Sequence, residues 1–116
     1  MFRYDAAIAE RYPDLSAAVV HAQQLVNGPS SEALQADYVD EQRATVERLA
    51  ETPIAEHASI KAWRAVFSSF GVKPTQHRVA AEALLRRLHK AGNIPSFSTL
   101  VDIGNLVSIR YGLPVA

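Results

Sequence analysis

The chain has 116 residues, 48% apolar and 21% charged, and no cysteine. That length suits one domain built on one core, and the missing cysteines exclude disulfide stapling. No apolar run is long enough for a membrane-crossing helix. The opening residues Met1–Asp14 are acidic and lack the parts of a signal peptide, so a cytoplasmic location is expected and a membrane partner is not. Basic and acidic side chains number twelve each. Their distribution is uneven: residues 1–58 hold four basic and ten acidic side chains, net −6, whereas residues 59–116 hold eight and two, net +6. Either the two halves neutralise each other, or the second half faces an anionic partner. The sequence leaves both readings open.

Phe2–Tyr4 reads as a short strand. Asp5 can cap a brief helix, Ala6–Tyr12, that Pro13 ends. From Leu15 to Val26 apolar residues alternate loosely (Leu15, Ala17, Val19), which predicts a strand. Asn27-Gly28-Pro29-Ser30 is turn chemistry. Ser30 or Ser31 then caps a helix to about Ala50, with Leu34, Tyr38, Val46 and Leu49 as its expected core stripe, and Thr52-Pro53 breaks it. The next helix is expected from His57 or Ser59 to Phe70, with Trp63, Val66, Phe67 and Phe70 on one face and Gly71 at its end. A loop through Pro74 leads to a helix over Val79–Lys90, buried through Ala81, Leu84, Leu85 and Leu88 and closed by Gly92. In the final segment, Thr99 and Asp102 have the spacing of a capping box. Ile103, Leu106 and Val107 follow at helical spacing, and Gly112 and Pro114 end the helix.

Within that last helix, Gly104 and Ser108 form a small-residue strip one turn apart, and Asp102 and Asn105 share a face. Asn105 and Ser108 are candidate linings of a polar cleft; equally, Asp102 can serve as a cap and Asn105 can satisfy nearby backbone. On the preceding helix, Arg86, Arg87 and Lys90 lie away from the leucines and could straddle phosphates. A solvated face suited to a helix C-terminus explains them as well. The four histidines, His21, His57, His77 and His89, have no ligand spacing, so no metal site is expected. Neither a nucleophile elbow nor a phosphate-binding glycine loop occurs.

The run Val101-Asp102-Ile103-Gly104-Asn105-Leu106-Val107, followed by Gly112-Leu113-Pro114, resembles a segment of the B3/B4 domain of the beta subunit of bacterial phenylalanyl-tRNA synthetase. There a Val-Asp-x-x-Asn-x-Val core runs into Gly-x-Pro. Upstream, Trp63-Arg64, Gly71-Val72-Lys73-Pro74 and Glu82-Ala83-Leu84-Leu85-Arg86-Arg87 are similar to free-standing relatives of that domain. The resemblance is strong over residues 60–114 and weak before them. It implies an α+β fold, with this chain as the helix-rich N-terminal portion of a three-layer domain, most of the sheet missing, and the whole of 1–116 as one partial domain.

In the synthetase this domain hydrolyses tyrosine wrongly esterified to tRNA, a selection that a site hydrogen-bonding the phenol can make. The resemblance therefore implies a truncated tRNA-binding module related to domains that edit mischarged aminoacyl-tRNA, with tRNA or aminoacyl-tRNA as partner, no DNA, no metal and no cofactor. Arg86, Arg87 and Lys90 become its tRNA-binding candidates. The editing pocket fares worse. The synthetase has an arginine where this chain has Thr99 and a histidine where it has Ala116, and Val79-Ala80 stands where free-standing relatives show Pro-Ser. The catalytic residues of this chain are unknown, and deacylation is expected only of a longer form. The alternative is a non-catalytic binding or interaction module that kept the fold and lost the pocket. A third reading is a piece whose open core edge self-associates or docks a missing C-terminal half.

Overall fold

Residues 2–116 are described by a computed structural model. Five α-helices follow one another: α1 (Ala6–Arg11), α2 (Glu32–Glu51), α3 (Ala58–Ser69), α4 (Ala80–Ala91) and α5 (Thr99–Tyr111), with a 3-10 turn at Ile54–Glu56. Among the described residues there is no strand, so the α+β expectation is overturned and the fold is all-helical. The physical reason is a missing partner. From Ser16 to Asn27 the chain is irregular and exposed, with a bend at Gln24 (φ 54°) and Val20 91% and Val26 89% accessible, and among the described residues none of its backbone N–H groups finds a backbone acceptor. Alternating apolar residues satisfy a strand's side-chain pattern, but a strand exists only where a second one pairs with it. Phe2–Tyr4 likewise forms no strand; the Phe2 and Tyr4 rings meet edge to face, centroids 5.3 Å apart. The long irregular stretch also spreads the molecule. Its radius of gyration is 15.6 Å, against about 13 Å for a compact domain of this length.

Helix starts follow local chemistry. Asp5 Oδ1 accepts from Ala7 N at 2.9 Å to open α1, and Ser31 Oγ accepts from Leu34 N at 3.2 Å to open α2. α1 has no buried residue and is held at its end, where Arg11 Nη2 donates to Ser69 O at 2.6 Å and Tyr12 Oη meets Ser69 Oγ at 2.7 Å. Helices α4 and α5 stop at glycines in the left-handed region, Gly92 at φ 79° and Gly112 at φ 64°.

The core is small and sits where α2, α4 and α5 meet. Tyr38 and Leu49 of α2, Ile60 of α3, Ala81, Leu85 and Leu88 of α4 and Ile109 of α5 are buried together with Ile54 and Ile94. Each fully buried leucine or isoleucine adds about 1.5–3 kcal/mol. Two expected stripes are rotated from the true inner face. On α2, Val46 is exposed and the buried residues are Tyr38, Glu41, Gln42, Thr45 and Leu49. On α5, Ile103 is exposed while Asp102, Ser108 and Ile109 are buried. Both helices turn polar side chains inward because those side chains have partners there.

Gln42 supplies one partner set, its amide donating to Ile94 O at 3.0 Å and accepting from Ile94 N at 2.7 Å. Asp102 supplies the other. Its carboxylate accepts from Ser30 Oγ and Ser96 Oγ at 2.5 Å each, and from Phe97 N at 2.9 Å. The helix N-cap is Ser98 rather than Thr99, and Thr99 N donates to Gly28 O at 2.8 Å while Leu100 N donates to Asn27 Oδ1 at 3.1 Å. The orphan amides opening α5 are thus met by a segment seventy residues away in sequence.

Candidate nucleic-acid interface

Residues of α4 divide cleanly between core and surface. Ala81, Glu82, Leu85 and Leu88 point inward, as the expected stripe had them except that Leu84 is only half-buried and Glu82 joins them. Arg87 and Lys90 are exposed and form no ion pair among the described residues. Arg86, the third candidate, is half-buried and its Nε donates to Glu82 Oε1 at 2.8 Å. The candidate trio is therefore split, two cations free at the surface and one tied by its Nε.

Glu82 itself was silent in the sequence as anything beyond an i, i+4 partner of Arg86. The fold brings Arg64 of α3 onto the same carboxylate, with Nη2 to Oε1 at 2.7 Å and Nε to Oε2 at 3.1 Å, and places Arg78 Nε 3.9 Å from Oε1. Burial alone would raise the Glu82 carboxyl, but hydrogen bonds from Arg64 and then Arg86 prevail, holding it below the usual glutamate range. No sequence pattern links Arg64 to Glu82; only the folded arrangement does.

The charge split now has a structural answer. Just two basic residues of the second half pair with acids of the first: Lys61 with Glu56 at 3.9 Å and Arg110 with Glu41 at 2.9 Å. Arg64, Arg78 and Arg86 share Glu82, and Lys73, Arg87 and Lys90 have no acidic partner among the described residues. Neutralisation between halves is minor. The positive excess stays at the α3–α4 side.

The other candidates land in the packed interior rather than in a cleft. Ser108 is buried and donates to Leu113 O at 2.6 Å. Beside it, Val115 Cγ1 lies 3.4 Å from where a side chain on Gly104 would begin. The small-residue strip is the seat of the chain's own C-terminal tail. Asn105 is half-buried and approaches the Tyr38 hydroxyl, which burial raises above the ordinary tyrosine value despite Asn105 and, more weakly, Arg87. No hydrogen bond of good geometry is completed, and Tyr38 Oη is left without a partner. Thr99 Oγ1 donates to Gly28 O at 3.1 Å, and Ala116 is exposed. Two hollows stand out among the described residues. One of about 630 Å³ lies between α1 and α3 and is lined by Ile8, Tyr12, Leu15, Trp63, Val66 and Phe70. The other, about 370 Å³, is bordered by Arg48, His57, Arg110 and Gly112. Neither includes Asn105 or Ser108. No helix is long and apolar enough to cross a membrane, and no three His, Asp or Glu side chains gather to ligate a metal among the described residues.

Against known families, one comparison gives a match. Residues 62–116 match the family model described as B3/4 domain. The match begins at α3, takes in α4, α5 and the Gly112-Leu113-Pro114 exit, and covers just under half of the chain. It bears out the resemblance drawn from the sequence. No curated protein and no solved structure matches the chain significantly. The B3/4 stretch and the positively charged surface coincide: seven of the eight second-half cations lie inside it, Lys61 alone preceding it.

Proposed function

We propose that this protein is a tRNA-binding module of the B3/4 type, which holds the nucleic acid by its phosphate backbone through α4 and lacks editing chemistry in residues 1–116. The observation that carries it is the uncompensated positive charge of the B3/4 stretch, where Arg87 and Lys90 stand exposed without acidic partners. Exposed lysine and arginine displaced along a helix bind phosphates without reading bases, and release counterions on doing so. Against catalysis stand the positions that carry the synthetase's pocket groups. Thr99 spends its hydroxyl on backbone carbonyls and Ala116 offers no polar atom. Neither side chain can act as a general base for an attacking water. A longer form that supplies further groups would position an aminoacyl ester for attack by water.

The test is binding of tRNA to the chain across a salt series. Wild type should bind with an affinity that falls steeply as salt rises, and Arg87→Glu with Lys90→Glu should weaken binding at least tenfold and flatten the salt slope by about two phosphates' worth. Unchanged binding in that double variant returns the α4 surface to plain solvation.

A further inference from the structure

The positive excess is concentrated at one carboxylate. Glu82 is 1% exposed, and Arg64, Arg78 and Arg86 all converge on its Oε1. One negative charge faces three positive ones, a local net of +2, and no other carboxylate forms an ion pair with these arginines among the described residues. The way Glu82 is used matters. It engages Arg78 and Arg86 through their Nε atoms, at 3.9 and 2.8 Å. Among the described residues no hydrogen bond occupies the terminal Nη groups of either residue, and their side chains are 44% and 36% exposed. The Nη1–Nη2 edge of a guanidinium is a fork that matches two oxygens of a phosphate. Glu82 thus holds the Arg86 guanidinium from behind by a hydrogen bond and draws that of Arg78 by charge alone, while both forks stay open to solvent. Arg64, bound to both oxygens of Glu82, keeps that carboxylate in place.

Two further features favour an anion at this point. Guanidiniums held together around a single carboxylate repel each other, and a second anion relieves that repulsion at short range. Glu82 also lies in the first turn of α4, whose N-cap Val79 provides no side-chain acceptor, so unsatisfied backbone N–H groups add to the same positive field.

We propose that Arg78 and Arg86, positioned by Glu82 and backed by Arg64, form a binding site for a phosphate group. The shared ligand chemistry is a tetrahedral phosphate oxyanion, either a diester of an RNA backbone or a free phosphate monoester. For the RNA source the site rests on the function proposed above; for the free anion it does not.

The experiment uses the whole chain. Inorganic phosphate is titrated while the arginine Nε–Hε signals are followed by NMR, and a labelled single-stranded RNA is titrated by fluorescence anisotropy. Phosphate should shift the Arg78 and Arg86 signals saturably. Arg78→Gln with Arg86→Gln should weaken both ligands at least tenfold, and Arg43→Gln, on the exposed side of α2, should leave inorganic phosphate binding unchanged. Because Arg86 is hydrogen-bonded to Glu82, Arg78→Gln alone is the variant that keeps both hydrogen-bonded partners of that carboxylate; it should retain the wild-type circular dichroism and lose at least threefold. If phosphate leaves both arginine signals unmoved while RNA binding depends only on Arg87 and Lys90, the site is overturned and the RNA reading stands. Saturable phosphate binding without RNA binding supports the site, assigns it to the free anion and overturns the RNA reading. Binding of neither ligand overturns both.

Discussion

Replacing Glu82 with glutamine removes one charge and changes almost nothing in volume, so it isolates what the buried ion cluster contributes. In the native protein the carboxylate accepts from Arg64 Nε, shared between both oxygens, from Arg64 Nη2 and from Arg86 Nε, at 2.7–3.3 Å. The glutamine amide offers one acceptor oxygen where two stood, and its NH₂ group points donors at guanidiniums that can only donate. Breaking a buried pair by altering one partner costs about 3–5 kcal/mol. With an unfolding entropy of about 2.1 cal/mol/K per residue, a chain of 116 residues carries roughly 0.24 kcal/mol per kelvin at its midpoint. The variant should then melt about 12–20 °C lower, read by circular dichroism, with a lower urea midpoint and an unchanged slope. Arg43→Gln serves as comparison, since the Asp40–Arg43 pair is exposed on both sides and should cost less than about 0.5 kcal/mol. A Glu82→Gln melting point within 3 °C of wild type would show that the cluster contributes no more than a surface pair, and the reasoning fails. The same chemistry sets the acid limit. Glu82, Glu41 and Asp102 all titrate below their ordinary values in the folded state. Their contribution is complete above the unfolded carboxylate range, at about pH 4–4.5, and is lost as pH falls through the lower folded values, where the unfolded chain takes up protons first. A stability-versus-pH curve that declines on the acid side, and declines less in Glu82→Gln, is the expected result.

The remaining predictions concern single buried positions. Tyr38→Phe deletes a hydroxyl that is buried without a hydrogen-bond partner, so stability by urea titration should stay level or rise by up to about 1 kcal/mol; a loss above about 1 kcal/mol would mean that the Asn105 approach is a working hydrogen bond. Gly112→Ala should lose about 2 kcal/mol or more, because φ is 64° and the new Cβ would stand 3.2 Å from Ser59 Cβ and closer still to its hydroxyl. Adding Ser59→Gly should recover the steric part but not the backbone part, and a full recovery would remove backbone strain from the explanation.

Helix existence was legible because it rests on local signals. Ser31, Pro53, Gly92 and Gly112 mark boundaries within a residue or two of where the helices end, and α4 declares its inner face through Ala81, Leu85 and Leu88. Rotation about the axis was legible only where the buried face is apolar. On α5, Ile103 looks like core and Asp102 like a surface cap. Yet Asp102 is the buried one, because Ser30, Ser96 and Phe97 bring it three donors from two loops that no periodicity connects. Val46 was misplaced for the same reason: Thr45 and Gln42 go inward in its stead, Gln42 to clasp Ile94. The strand expected over Leu15–Val26 failed for lack of a partner, which no single segment's pattern can supply. As for the candidate interface, Arg86, Arg87 and Lys90 could be found from helical spacing. Arg64 and Arg78 could not, since their common address is one carboxylate reached through tertiary packing.

These misses share a cause that bears on function. The interior of this protein uses charged and amide groups as tie points: Glu41 for Arg48 and Arg110, Gln42 for the loop at Ile94, Glu82 for three arginines, Asp102 for two serines and a backbone amide. Two of these three acids come from the second half of the chain, and they are the only two it has. Both are spent inside, one on neutral donors and one on three cations. The surface of the B3/4 stretch is therefore left without a free side-chain carboxylate among the described residues, while Lys73, Arg87 and Lys90 remain unpaired and Arg78 and Arg86 are only partly neutralised. With both acids buried, the exposed charged side chains of residues 62–116 are all basic, and an excess of one sign draws opposite charge at long range, the more so the less salt screens it.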